Sequence, residues 1–247
     1  MADTSTASRP RRSVLYMPAA NERALEKAKT IPCDALIFDL EDAVAPDAKD
    51  AARAQAVAAA QSGEYGHREI TIRCNGLDTP WGAADVAAAA QSGAAAVVIP
   101  KVGSVAYVDE ISAALDAAGA PAEMKIWAMF ETPTAILDAR HIAAHPRVEV
   151  IVMGTNDLYR ELRAQMVTGR GPIRSHLATS ILAAREAGKA ILDGSTTTSA
   201  TTRASGSKPS TASRWASTAR PSCTRARSNP PTTSGHRLPT RSSTLAR

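Results

Sequence analysis

The sequence predicts an α/β fold of the TIM (β/α)8 barrel type, incomplete in this chain, with about seven βα units over residues 13–194. Short Val- and Ile-rich runs that end in polar residues alternate with Ala-rich stretches of helical periodicity, which is typical of repeated βα units. An open doubly wound sheet is less favoured, because the first strand is followed by MPAAN at 17–21 and not by a Gly-rich phosphate-binding turn.

The predicted strands and helices alternate along the chain. Strands are expected at 13–17, 35–40, 69–75, 94–101, 125–131, 148–154 and 189–192. Helices are expected at 21–29, 48–61, 80–92, 105–118, 134–145 and 173–187. Since a closed barrel has eight strands, the pattern is one strand short when it stops near residue 194.

Residues 195–247 differ in composition from the domain before them. They hold 24 Ser or Thr and nine Lys or Arg, with no Asp or Glu and few large apolar side chains. Such a segment cannot bury enough apolar area to offset its ordering entropy, so we expect a disordered basic tail. We expect residues 1–12 to be a flexible N-terminus.

The tail has a possible origin in a shifted reading frame. One nucleotide out of register, 195–198 is compatible with VYND and 216–228 with GFDGKTLMHPSQV. We hypothesise a frameshift near Gly194, in which case the tail has no selected function and the 247-residue chain is inactive or poorly folded. Sequencing the gene through codons 192–247 tests this hypothesis, and a shifted frame that lacks both strings would refute it.

The basic character of the chain belongs to the tail. The net charge is +5, but residues 1–194 carry 20 basic against 24 acidic residues, or −4. Arg and Ser without stacking aromatics are weak support for nucleic-acid binding. We find no apolar run of the roughly 18–20 residues that a membrane span needs, and no secretory signal. Three cysteines without paired spacing suit a reducing cytosol, so we expect a cytoplasmic protein.

Two carboxylates follow neighbouring strands of the predicted barrel. Glu131 ends the fifth strand and Asp157 follows the sixth, and functional residues of TIM barrels lie at such C-terminal strand ends. Mg²⁺ is normally held by few protein carboxylates and several waters, whereas zinc would need His or Cys ligands. The pattern predicts a Mg²⁺ site, unless each acid only caps a helix or pairs with a neighbouring base.

A third candidate residue is Arg73, which strand alternation over 69–75 places inside the barrel. A buried Arg is costly unless it meets an anion, which would be a substrate carboxylate, a polarised carbonyl, or the side chain of Glu41 or Asp42. Glu41 and Asp42 follow the second strand, where they could orient a water or tune a neighbouring pKa. We expect Asp39 to be a cap or a packing partner.

Together these residues resemble the citrate lyase β-subunit and malyl-CoA lyase family of HpcH/HpaI-type aldolases. The matching strings are RSVLYMP at 12–18, DLEDAV at 39–44, RCN at 73–75, IPKV at 99–102, ETP at 131–133 and GTNDL at 154–158. No single string is specific for this family, but the six strings in this order are. The frame-shifted strings resemble the last two strand regions of the same family.

The resemblance implies a Mg²⁺-dependent carbon–carbon lyase that cleaves or forms a 3-hydroxyacyl-CoA, such as malyl-, citramalyl- or citryl-CoA, with acyl-CoA and an oxo acid as its other reactants. By motif match the metal ligands would be Glu131 and Asp157, the catalytic residues Arg73, Glu41 and Asp42, and the substrate-binding residues Arg73, Arg12 and Lys101. Solvated surface positions for Arg12 and Lys101 fit the sequence equally well. No general base is assigned, and family analogy predicts a homo-oligomer for the frame-restored protein.

Several alternatives remain open at this point. The same site could act as a thioesterase on a malyl- or citramalyl-thioester. A CoA-independent pyruvate-type aldolase is less favoured, because its metal usually takes His ligands. The chain could also be an inactive truncated barrel with a binding role, including binding through its basic tail.

Overall fold

Parallel strands in sequence order build the sheet of the computed structural model, which describes residues 9–194 and 215–216. The strands are β1 Ser13–Pro18, β2 Ala35–Asp39, β3 Glu69–Arg73, β4 Ala96–Ile99, β5 Lys125–Phe130, β6 Val148–Met153 and β7 Ala190–Leu192. They curl into part of a barrel with alternating helices, so the predicted fold class is confirmed. Each predicted strand boundary lies within two residues of the observed one.

Helices connect successive strands. They are α1 Glu22–Ala28, α2 Lys49–Gln61, α3 Gly82–Ala90, α4 Val105–Ala117, α5 Pro133–Leu137, α6 Ala139–Ala144, α7 Thr155–Glu161 and α8 Arg174–Glu186. The single helix predicted at 134–145 was wrong, because Asp138 leaves helical geometry (φ −103°, ψ 13°) and divides α5 from α6. Within the described residues, no helix is both long and apolar enough to cross a membrane.

An eighth, two-residue strand lies at the edge of the sheet. The strand order is β7-β6-β5-β4-β3-β2-β1-β8, in which β8 is Trp215–Ala216 and pairs antiparallel with β1. Within the predicted tail, Trp215 and Ala216 are the residues that the structure describes. The rest of the predicted tail, 195–214 and 217–247, and residues 1–8 lie outside the described residues.

Side-chain alternation along the strands creates two apolar layers. One cluster contains only strand residues, among them Ile37, Val98, Trp127 and Val152, and fills the concave side of the curl. The larger cluster joins the opposite strand faces to the helices. Burial of each large aliphatic side chain contributes roughly 1.5–3 kcal/mol. Arg73 lies two residues after Thr71 on β3, so strand parity aims both residues at the concave side.

An ion cluster closes the N-terminal end of the curl. Arg11 is only 7 % exposed, and its Nε and Nη2 donate to the Glu69 carboxylate at 2.6 and 2.8 Å. Nη2 also donates to Glu149 at 2.8 Å, and the guanidinium lies 5.4 Å from the Trp127 ring centre. Arg11 belongs to the segment expected to be flexible, and in the structure it supplies the cation that the buried carboxylate of Glu69 requires.

The adjacent arginines Arg11 and Arg12 offer a matched test of this cluster. Arg11→Met leaves Glu69 buried without its main partner, so we expect the free energy of unfolding to fall by about 3 kcal/mol. Arg12→Met removes a side chain that is 77 % exposed and pairs with Asp34, so we expect little change. Urea denaturation of both variants measures the difference, and equal losses would contradict a structural role for the Arg11 cluster.

Candidate active site

The centre of the site is a buried ion pair between neighbouring strands. The parallel register places Asp39, the last residue of β2, beside Arg73, the last residue of β3. Arg73 Nε and Nη2 donate to the two carboxylate oxygens of Asp39 at 2.7 and 2.6 Å. Burial lowers the pKa of Arg73, but the hydrogen bonds and charge of Asp39 outweigh burial and raise it. Arg73 therefore presents a permanent positive charge inside the barrel.

Glu41 and Asp42 reach the free side of the same guanidinium. Arg73 Nη1 lies 2.8 Å from a Glu41 oxygen and 3.5 Å from an Asp42 oxygen. The Glu41 backbone N–H donates to Asp39 at 2.9 Å, which fixes the loop after β2. Tyr16 stacks on the other side, with its ring centre 5.1 Å from the guanidinium carbon. The structure thus brings together three of the predicted residues.

Glu131 follows β5 and is 2 % exposed. Its Oε1 accepts a hydrogen bond of 2.7 Å from the backbone N–H of Lys101, which follows β4. Lys101 has a left-handed backbone (φ 51°), a conformation that non-glycine residues rarely adopt. Its main chain holds Glu131, while its side chain is exposed and lines a neighbouring cavity.

Asp157 lies in the first turn of α7, directly after β6, and forms an ion pair with Arg160. The sequence did not predict α7, because seven residues that begin Thr-Asn-Asp have weak helix propensity. Gly154 precedes the helix, and a Cβ there would lie 2.5 Å from Glu131 Oε2. Glycine at this position therefore lets the Glu131 carboxylate rest against the end of β6.

Two adjoining cavities open at this rim. The smaller one, of about 200 Å³, brings together residues in the C-terminal parts of β1, β2, β3 and β5 and residues that follow β2, β5 and β6. Its lining includes Tyr16, Asp39, Asp42, Arg73, Met129, Glu131 and Asp157. The larger one, of about 340 Å³, is lined by residues that include Glu41, Asn75, Lys101 and Tyr107. Arg73, which lines the smaller cavity, contacts Glu41, which lines the larger one.

Two carboxyl groups of the site have raised pKa values. Burial raises the pKa of Glu41 to about 7 against the opposing charge of Arg73, with further increases from Asp42 and Asp39. Burial and the charge of Glu41 raise the pKa of Glu131 to about 7, and Asp157 adds to the shift. Concentrated negative charge in a buried site thus holds protons near neutral pH, and an added cation would release them.

Arg12 is the one predicted site residue that the structure does not bring to this rim. It directly precedes β1, at the opposite end of the strand from Tyr16, and pairs with Asp34 at 3.0 Å. Sequence reasoning also underestimated Asp39, and it did not single out Tyr16. Both assignments needed the strand register, which the sequence pattern does not give.

The residues present fit a Mg²⁺ ion. Glu131 and Asp157 line one cavity and offer carboxylate oxygens, the donors that Mg²⁺ prefers. Within the described ranges there is no group of three or more His, Cys, Asp or Glu arranged to hold a metal. A site with two carboxylates leaves room for water and a substrate oxygen, which suits Mg²⁺ because that ion keeps several waters.

Several known proteins are similar in sequence to this chain. The model of the HpcH/HpaI aldolase/citrate lyase family matches residues 12–218. A relative from Cereibacter sphaeroides (strain ATCC 17029), named (3S)-malyl-CoA thioesterase, is 46 % identical over 185 residues, which cover 75 % of this chain and 63 % of the relative. Citrate lyase subunit beta from Escherichia coli K12 is 37 % identical over 184 residues, covering 72 % and 58 %. The matched part therefore spans less than two thirds of these curated relatives.

A solved structure shares the fold. CitE from Mycobacterium tuberculosis, in complex with magnesium, acetoacetate and coenzyme A, superposes with a TM-score of 0.63 and 28 % sequence identity. The match covers 75 % of this chain and 66 % of CitE. A protein that shares this fold over the matched part thus binds magnesium, the ion that the carboxylates at the rim fit.

The raised pKa of Glu131 predicts that the metal-free protein loses stability as pH rises. A carboxyl group with a folded pKa of about 7, above its ordinary value of 4.5, binds its proton more tightly in the folded state. The stability that this carboxyl group contributes to the folded state is therefore complete below about pH 4.5, and it is lost as the pH rises through 7. Glu131→Gln imitates the protonated form, so we expect a smaller loss between pH 5 and pH 8.

Thermal denaturation in EDTA at several pH values measures this difference. Glu123→Gln, at an exposed position, is the control and should keep the pH dependence of the unchanged chain. A Glu131→Gln variant whose midpoint falls as steeply as that of the control would rule out a shifted carboxyl at this position. The pKa of Glu41 is also raised to about 7, so part of the fall in midpoint with pH remains in every variant.

Proposed function

The chain belongs to the HpcH/HpaI aldolase/citrate lyase family, and from this premise we propose that its rim site catalyses Mg²⁺-dependent carbon–carbon cleavage, or formation, of a 3-hydroxyacyl-CoA. Malyl-, citramalyl- or citryl-CoA would give an acyl-CoA and an oxo acid. The observation that carries the proposal is the meeting of Arg73 with Glu131 and Asp157 around one cavity. A cation for an anionic substrate and two ligands for a metal thus lie side by side.

Arg73 would bind the half of the substrate that becomes the oxo acid. Its guanidinium is fixed by Asp39, so it presents donors at a constant position to a carboxylate or hydroxyl oxygen. Fixed donors in a buried site stabilise developing negative charge far better than mobile ones in water. Glu41 and Asp42 approach Nη1 and orient the guanidinium, whose remaining N–H groups stay available to the substrate.

Glu131 and Asp157 would hold Mg²⁺. When bound there, Mg²⁺ supplies a Lewis acid that polarises the substrate carbonyl and offsets the charge that develops on its oxygen. The backbone N–H of Lys101 keeps one oxygen of Glu131 in place. The absence of a side chain at Gly154 keeps the other free of steric overlap.

Glu41 is the residue best placed to accept a proton. During cleavage the hydroxyl group loses its proton, the adjacent carbon–carbon bond breaks, and its electron pair passes to the thioester half, which takes up a proton to become the acyl-CoA. Glu41 touches Arg73, and its pKa of about 7 suits proton exchange at neutral pH. The larger cavity beside it would take the thioester arm, with Lys101 at its exposed edge.

Hydrolysis of the thioester is the second candidate function. The relative from Cereibacter sphaeroides with 46 % identity is named (3S)-malyl-CoA thioesterase, which favours this alternative. The same residues would then hold the acid half of the substrate while water attacks the thioester carbonyl. The products differ, since hydrolysis releases a free hydroxy diacid and lyase activity releases an oxo acid.

Product analysis tests both functions. Malyl-CoA and Mg²⁺ are incubated with the 247-residue chain and with a chain whose frame is restored after Gly194, and glyoxylate, malate and CoA species are quantified. We expect glyoxylate and acetyl-CoA from the restored chain, and little or no turnover by the 247-residue chain. Arg73→Lys in the restored chain should lower kcat about 10²-fold, because Lys cannot reproduce the paired donors.

Arg140→Lys is the matched control, since Arg140 is 73 % exposed and pairs only with Glu186 among the described residues. Malate and free CoA without glyoxylate would establish the thioesterase instead of the lyase. If the restored chain forms neither set of products, the proposed reaction on this substrate is refuted. Equal rates with and without EDTA would refute its dependence on Mg²⁺.

A further inference from the structure

Lys49 is a buried cation that belongs neither to the Arg11 cluster nor to the ion pairs of Arg73. It is 5 % exposed and forms the first residue of α2, where the helix dipole disfavours a positive charge. A lysine is among the residues least often buried without a specific partner. Its position therefore requires an explanation in what its side chain contacts.

The Lys49 ammonium group satisfies all three of its donors at the ends of β2 and β3. Nζ donates to the backbone carbonyls of Leu40 and Glu41, each at 2.7 Å, and to the side-chain oxygen of Asn75 at 2.9 Å. It also lies 5.2 Å from the Trp81 ring centre, where a cation–π contact adds to its binding. One side chain thus joins the loop that carries Glu41 to the chain that follows Arg73.

A second layer fixes Asn75 in turn. Its Nδ2 donates to the carbonyl of Leu40 at 3.0 Å and to Asp85 at 2.6 Å, and its backbone N–H donates to Asp85 at 3.0 Å. Asp85 is 1 % exposed and accepts a 2.6 Å hydrogen bond from Arg53 on α2. The network returns to the helix that carries Lys49, so it forms a closed brace around the loop after β2.

We propose that Lys49 is a positioning residue that holds Glu41 in contact with Arg73. Loss of its ammonium group would release two adjacent carbonyls, Leu40 and Glu41, and leave the Glu41 side chain free to leave the guanidinium. Lys49 itself lines neither cavity, so it acts on the larger cavity through the lining residues that it contacts, Glu41 and Asn75. The effect on ligand binding rests on the proposed function, whereas the effect on the loop does not.

Hydrogen–deuterium exchange of the 247-residue chain tests the loop directly. The backbone N–H groups of Leu40, Glu41 and Val44 are hydrogen-bonded. In Lys49→Gln we expect them to exchange about tenfold faster, while amides of β5 and β6 keep their rates. Equal acceleration throughout the barrel, or no change in the loop, would overturn the proposal. Lys27→Met on the exposed side of α1 is the control and should alter neither region.

Calorimetric titration with glyoxylate in the presence of Mg²⁺ tests the link to Glu41. We expect Lys49→Gln and Glu41→Gln each to weaken binding about tenfold, and the double variant to bind no more weakly than Glu41→Gln. Additive losses would show that Lys49 acts independently of Glu41, which overturns the proposal. The titration uses the chain whose frame is restored after Gly194, as in the test of function. If that chain, without substitutions at Glu41 and Lys49, binds no glyoxylate, the proposed function fails at this step, and the exchange experiment alone decides the role of Lys49.

Discussion

The site depends on the burial of one arginine. A guanidinium cannot lose its charge in a protein, so Arg73 inside the barrel must be surrounded by acceptors. Asp39 takes Nε and Nη2 in a paired geometry that the register of β2 and β3 makes available. Nη1 then turns to Glu41, which draws the loop after β2 over the rim. This contact joins the two cavities, because Arg73 lines one and Glu41 lines the other.

Charge balance at the rim favours the binding of a cation. Five carboxylates, Asp39, Glu41, Asp42, Glu131 and Asp157, surround one buried guanidinium and outweigh it. Protonation of Glu41 and Glu131 near neutral pH reduces the excess, as their pKa values of about 7 show. A divalent ion would reduce it without that proton uptake, so the proposed metal binding would release protons at this site.

The sequence predicted most of the strands and the rim, because polar residues that end apolar runs are a local signal. It also anticipated that Glu41 or Asp42 could serve as a partner of Arg73. It could not show that Asp39 is the principal partner, since that depends on register between strands far apart in sequence. The buried contacts of Arg11 with Glu69 and of Lys49 with Asn75 are long-range for the same reason. The short helix α7 was missed because its own residues favour helix only weakly.

Two of the three tryptophans lie against cations at opposite ends of the barrel. Trp127 is fully buried under Arg11 at the N-terminal end, and Trp81 is half-buried beside Lys49 at the rim. A ring shielded from water emits at shorter wavelength than one that meets solvent. Trp127 at the barrel floor therefore emits at shorter wavelength than Trp81 at the rim, so loosening of the two ends changes the intrinsic fluorescence at different wavelengths.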